Sequence, residues 1–213
     1  MIRNNLFLNS SLQKAAEWSG VAGGFCCLSL HRSQISEDLR AMQAYFVDHW
    51  RWDGDFLQMT FEQKVRVAEG YAELGMLQDA LAQLDELEAE QPDRLEILRM
   101  RVEIILRKRD WHEGLQLCLR ICRVHPDESS GYIHAAFCLH ELGRTLEAKQ
   151  TLLDGPAGLL DEPVYYYNLA CYETVLGNLP QAKVYLRASF RLDKSFRELA
   201  KCDPDLQRIR DEL

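Results

Sequence analysis

What this chain has little of narrows its function first. Glycine numbers 12 and proline 6 in 213 residues, so no stretch reads as a collagen-like tract or a disordered Pro/Gly-rich tail. A basic balance is missing: 33 acidic residues oppose 25 basic ones, for a formal charge of −8. A dominant grip on nucleic acid or on an anionic membrane needs the opposite sign, so neither is expected as a partner. No run approaches the roughly 18 apolar residues of a membrane span. No phosphate-cradling glycine loop occurs, and no catalytic constellation is evident, so the chain is not expected to be an enzyme. A disulfide framework is missing too. The seven cysteines (Cys26, Cys27, Cys118, Cys122, Cys138, Cys171, Cys202) are odd in number and lie mostly in apolar helical patterns, where a thiol acts as a small hydrophobe. A reducing, cytoplasmic compartment is the expectation.

What is present is a period of 34 residues. Ala68, Ala136 and Ala170 keep it, as do Gly75, Gly143 and Gly177, and Ala80, Ala148 and Ala182. Pro92 and Pro126 stand one period apart. Such self-similarity marks stacked helical hairpins. Two helices of one hairpin approach closely only where a side chain is little more than a methyl group. Glycine between them ends the first helix at positive φ, and proline closes the second. Thr60 with Gln63 and Asp93 with Glu96 both fit a capping box, Ser129 or Ser130 is placed to cap the third hairpin, and Pro163 falls in the first turn of the fourth.

The stretches AEGYAELGMLQDALAQL, AAFCLHELGRTLEAKQTL and LACYETVLGNLPQAKVYL are similar to the tetratricopeptide repeat family. The resemblance covers about two-thirds of the chain and implies an all-α, right-handed superhelical solenoid of about four hairpins at 61–94, 95–128, 129–162 and 163–194. The second departs most, with Val102, Arg109 and Gly114 at the small-residue positions and Trp111 restoring bulk. In the third, Gly155-Pro156 predicts an early break of the second helix. Residues 195–213 read as short helices covering the end of the stack, starting from Asp193 or Ser195 and from Asp203-Pro204, and their resemblance to endings of prokaryotic repeat proteins implies a bacterial source. Residues 36–51 read as an amphipathic helix, with Leu39, Met42, Phe46 and Trp50 on one face, that caps the other end or mediates self-association. Residues 1–35 are expected to form a poorly structured N-terminal segment with no assigned role, and 52–60 link to the repeats.

Two metal or nucleophile readings fail on geometry. His112 lies too far along its helix to converge with Cys118, Cys122 and His125 on one ion, so no metal and no cofactor is expected. His134 and His140 flank Cys138, but no acid partner or oxyanion loop accompanies them.

The family's binding wall is the concave side, lined by the first helix of each hairpin. Carried over, it places Arg66, Glu69 and Glu73, then Arg99, Met100 and Glu103, then His134, Phe137 and Glu141, and finally Tyr167, Asn168 and Cys171 in a groove. That strip suits a protein or peptide with basic residues at one end and apolar anchors at the other. The Lys/Asn/Arg clamp for a C-terminal carboxylate is not there in either frame, since Val65, Glu69, Met100 and His134 stand at its positions in one of them. The expected function is therefore a protein-interaction scaffold or adaptor. A secretion-type chaperone for one effector, and a regulatory or sensory module binding a small molecule at the aromatic end, are the alternatives.

Overall fold

The computed structural model describes residues 59–212. The expected segments 1–35 and 36–51 lie outside the described residues. What is described is an all-α solenoid with no strand among the described residues. The helices are α1 (Phe61–Glu73), α2 (Leu77–Glu90), α3 (Leu95–Lys108), α4 (Trp111–Val124), α5 (Ser129–Glu141), α6 (Thr145–Leu153), α7 (Pro163–Val175), α8 (Leu179–Leu192) and α9 (Phe196–Ala200). A 3-10 segment, Ala157–Asp161, follows α6, and a second, Pro204–Glu212, forms the tail after α9. Each helix packs on its sequence neighbours, α7 against α8 and α5 against α4 and α6.

The periodic alanines lie at the helix crossings. Ala68, Ala80, Ala136, Ala148, Ala170 and Ala182 are all at 0% exposure, so none has room for a larger side chain without moving a neighbour. Gly114, at the same register in α4, sits tighter still: a Cβ there would meet Cys138 Sγ at 3.1 Å and Leu106 Cδ2 at 3.2 Å.

All four hairpin turns close in the same way. Gly75, Gly143 and Gly177 take φ of +76°, +79° and +89°, and Arg109 takes +60° in the second hairpin. The amide of the next residue then reaches back five places: Met76 to Tyr71, Asp110 to Ile105, Arg144 to Leu139, and Asn178 to Glu173. This satisfies a terminal carbonyl and turns the chain in three residues. Arginine in the second turn carries a Cβ penalty that glycine avoids.

Boundary signals divide into those that hold and those that do not. Thr60 Oγ1 accepts from the Gln63 amide and the Gln63 side chain accepts from the Thr60 amide, a complete capping box. Asp93 does not cap α3. It has φ +64°, the helix begins after Arg94 with no side-chain cap, and the Asp93 carboxylate takes Arg120 Nε instead. Nor do Ser129 and Ser130 cap α5: Glu128 does, its carboxylate accepting from the Ser130 amide at 3.2 Å and hydroxyl at 2.6 Å. Pro163 is the first residue of α7, and α6 ends early before Gly155, where a Cβ would collide with Leu159. At the tail, Asp193 Oδ1 accepts from the Ser195 amide ahead of α9.

Two apolar cores run through the stack. One joins Val65, Leu84, Leu87 and Ile97; the other runs from Leu98 and Val102 to Leu206 and Ile209. Helix α3 serves both, with Ile97 and Ile104 on one side and Leu98, Val102 and Leu106 on the other. Charged pairs cross the hairpins at the surface: Glu88 of α2 meets Arg101 at 3.1 Å and also Arg120. One pair is deep. Lys149 Nζ of α6 meets Glu173 of α7 at 2.9 Å, with the Glu173 side chain almost wholly buried. Arg107 of α3 donates to the Ala72 carbonyl at the end of α1 at 3.0 Å, tying the first hairpin to the second.

Candidate binding groove

The wall positions on α1, α3 and α5 form one electrostatic patch. Arg66, Glu69 and Glu73 are exposed on α1. Arg99 on α3 is exposed and pairs with Glu128 at 3.1 Å. Beside it, half-buried Glu103 has its carboxyl raised above the usual range: burial raises it most, Arg107 and Arg99 oppose that, and Glu69 adds to it. His134 on α5 is pushed down to about 4, chiefly by burial and then by Arg99, with Glu128 opposing. Glu69, Arg99, Glu103 and His134 thus act on one another across three first helices. Met100, Phe137 and Glu141 are half-buried, and the Phe137 ring stands edge-on to Trp111 at 5.6 Å between centroids. A small apolar contact area therefore lies next to the charged strip.

The fourth group is different. Tyr167, Asn168 and Cys171 are buried, so they do not offer open wall to a partner in this structure. The physical reason is the tail. Tyr167 Oη donates to Asp203 Oδ2 at 2.9 Å, its ring packs on Phe196 at 5.2 Å, and Cys171 Sγ lies 3.9 Å from Asp203 Oδ2. Asp205 Oδ2 reaches further back, to His140 Nε2 of α5 at 3.0 Å, while His140 Nδ1 meets Thr145 Oγ1 at 3.0 Å. Arg208 donates to the Thr174 carbonyl at 3.5 Å. Residues 203–209 therefore lie along the face of α7 formed by Tyr167, Cys171 and Thr174, and touch α5 as well. The sequence reading made the tail an end cover and missed Asp203, Asp205 and His140 as wall contacts. The signal it could have used was an Asp-Pro-Asp turn, with acceptors for the hydroxyl that a buried tyrosine must satisfy.

Among the described residues Cys118, Cys138 and Cys171 are buried, Cys122 is partly so and Cys202 is exposed. Cys118 is raised well above the usual thiol range, first by a hydrogen bond with Cys138 and then by burial, and burial lifts Cys122 to about 11. Buried thiols held protonated in this way are poor nucleophiles. Elsewhere, ligand atoms of Cys171, Asp203 and Asp205 lie within 4.8 Å of one another. The carboxylate of Asp203 is already engaged, however, with Oδ2 taking the Tyr167 hydroxyl and Oδ1 the Asp205 amide. Among the described residues no helix is long and apolar enough to cross a membrane.

Comparison with known proteins bears on the fold. No protein-family model and no curated protein matches the chain. Solved structures do. A crystal structure of MamA superposes with a TM-score of 0.58 at 10% identity, over 79% of this chain and 99% of that one. The fold is shared with MamA. The 41-end fragment of MamA from Desulfovibrio magneticus RS-1 gives 0.56 at 13% identity, over 90% of this chain and 96% of its own. MamA AMB-1 gives 0.52 at 16% identity, over 72% and 89%. At such identities the likeness to MamA is one of architecture: a helical stack of comparable length.

Proposed function

We propose that the chain is a protein-interaction scaffold that holds a partner segment against the first helices of its first three hairpins. The observation that carries this reading is the run of interacting groups from Glu69 through Glu103 and Arg99 to His134, with Arg66 exposed on the same first helix as Glu69. Mixed charges beside a small apolar area select a partner by complementarity and register, with the apolar anchors supplying affinity. The acidic members Glu69, Glu73, Glu103 and Glu141 favour basic residues in the partner. Stacked hairpins support the reading, because their first helices present side chains from several repeats to one extended ligand. A cytoplasmic adaptor, or a secretion-type chaperone for one effector, is the narrower form of the same proposal. The small-molecule reading is the weaker alternative, since the tail lies against Tyr167 and Cys171 at the aromatic end.

The test is capture of interacting proteins by the full chain and by a variant with Arg66, Glu69 and Phe137 changed together to Ala. All three are at least partly exposed, so helix content by circular dichroism should not change. Loss of the partners retained by the unaltered chain is the expected result. Retention of every one of them overturns the proposal.

A further inference from the structure

The tail reports the chemistry of the wall it covers. It presents two aspartates separated by one residue, then Leu206 next to the second aspartate and Ile209 one turn on. The turn is shaped before it meets the wall: the Asp205 amide donates to Asp203 Oδ1 at 2.9 Å, and Arg210 Nη2 donates to the Asp203 carbonyl at 3.0 Å. The wall answers with a phenol for the first carboxylate, an imidazole for the second, and apolar packing for Leu206 and Ile209. These are the terms on which a groove recognises a short motif, met here by a segment of the same chain.

The hold on this segment is side-chain burial and a few hydrogen bonds, without an α-helical ladder of its own. It follows a helix of five residues and is itself a 3-10 run, whose hydrogen-bond geometry is poorer than that of an α-helix. Asp203 and Asp205 sit close together on a largely buried surface, where like charges oppose one another. Short elements with little helical hydrogen bonding of their own are among those that open first.

We propose that the face of α5 and α7 formed by His140, Tyr167 and Cys171 is a binding site for an acidic turn motif, Asp-x-Asp-Leu-x-x-Ile, on a partner protein. Residues 203–209 are its resident occupant and exchange with the partner's motif. The site extends the groove reading above and rests on it, naming the partner chemistry at the far end of the same wall.

A fluorescein-labelled peptide with the sequence of residues 203–210 is titrated into the full chain and followed by polarisation. The unaltered chain should bind it weakly, because its own tail competes at high effective concentration. A full-length variant with Asp203→Asn and Asp205→Asn keeps the tail's shape and apolar contacts but weakens its hold, and should bind the peptide about tenfold more tightly. Adding Tyr167→Phe, which removes one hydroxyl and no volume, should reverse much of that gain. Hydrogen exchange on the unaltered chain is the second measurement, with amides of 203–210 exchanging about tenfold or more faster than those of α7. Equal protection of tail and α7, or no tighter peptide binding by a folded double variant, overturns the inference. Such a failure is separable from failure of the groove proposal, because Arg66, Glu69 and Phe137 take part in none of the tail contacts through Tyr167, Cys171 and His140.

Discussion

Helix α1 and helix α7 begin from the same register and end in opposite states. Both place alanine at the hairpin crossing, Ala68 and Ala170, and both close on a glycine at positive φ. Yet α1 buries only Val65, Ala68 and Ala72, whereas α7 buries Tyr165 and every residue from Tyr167 to Thr174. The periodic residues do not differ; what lies on the wall does. At α7 a segment outside the repeat comes back and covers Tyr167 and Cys171, while Arg66 and Glu69 of α1 stay exposed. A repeat register therefore says which residues hold a hairpin shut, and it is silent on whether the wall of that hairpin is open.

The largest expected effect comes from emptying the tail's apolar anchor. Leu206→Ala should cost about 2–4 kcal/mol in urea unfolding, with protection lost first in α7 and α8 by hydrogen exchange. Equal loss in α1 and α2 would show the stack unfolding as one unit and break the contrast between its ends. Next is the same crowding at both ends. Ala170→Leu should destabilise by about 2–3 kcal/mol and Ala68→Leu by about 1–2 kcal/mol, because more of α7 than of α1 is buried around the crossing. Equal costs would mean that the covered end is no stiffer than the open one.

The third effect is a pH dependence in the open half. His134 has a folded pKa of about 4 against an ordinary 6.5. As pH falls, the unfolded chain takes the proton first, so this residue's contribution is intact above pH 6.5 and is lost on the way to pH 4. The loss should be at most ~3 kcal/mol. His134→Gln should flatten that part of the stability profile, and an unchanged profile would show that another group titrates there. The smallest effect has the opposite sign. Arg109→Gly should raise stability by about 0.5–1 kcal/mol in the same urea experiment, bringing the second turn into line with the other three. A loss of stability would mean that the Arg109 side chain holds something the backbone angle does not reveal.

Much of the fold was legible before any coordinates. Ala68, Ala80, Gly75 and their periodic equivalents announce close crossings and tight turns, because steric limits act on one residue at a time. The early end of α6 was legible from Gly155-Pro156 for the same reason. Caps were less so. Asp93 and Glu96 have the right spacing, but Arg120, distant in sequence, takes the Asp93 carboxylate, and a local rule cannot see such a competitor. The wall was half legible: Arg66, Glu69 and Arg99 lie open, as a position on a first helix suggests. Tyr167 and Cys171 do not, since a tail that begins about 30 residues later and belongs to no repeat meets them; Asn168 is buried as well.

A stack of like hairpins faces a problem of address, since any apolar face can settle on any other of similar shape. The Lys149–Glu173 pair gives the last junction a mark of its own. A buried carboxylate tolerates no neighbour that fails to offer a cation, so a wrongly seated hairpin there would strand the charge. Leucines and alanines make the joint strong, and one ammonium and one carboxylate decide which two pieces it joins.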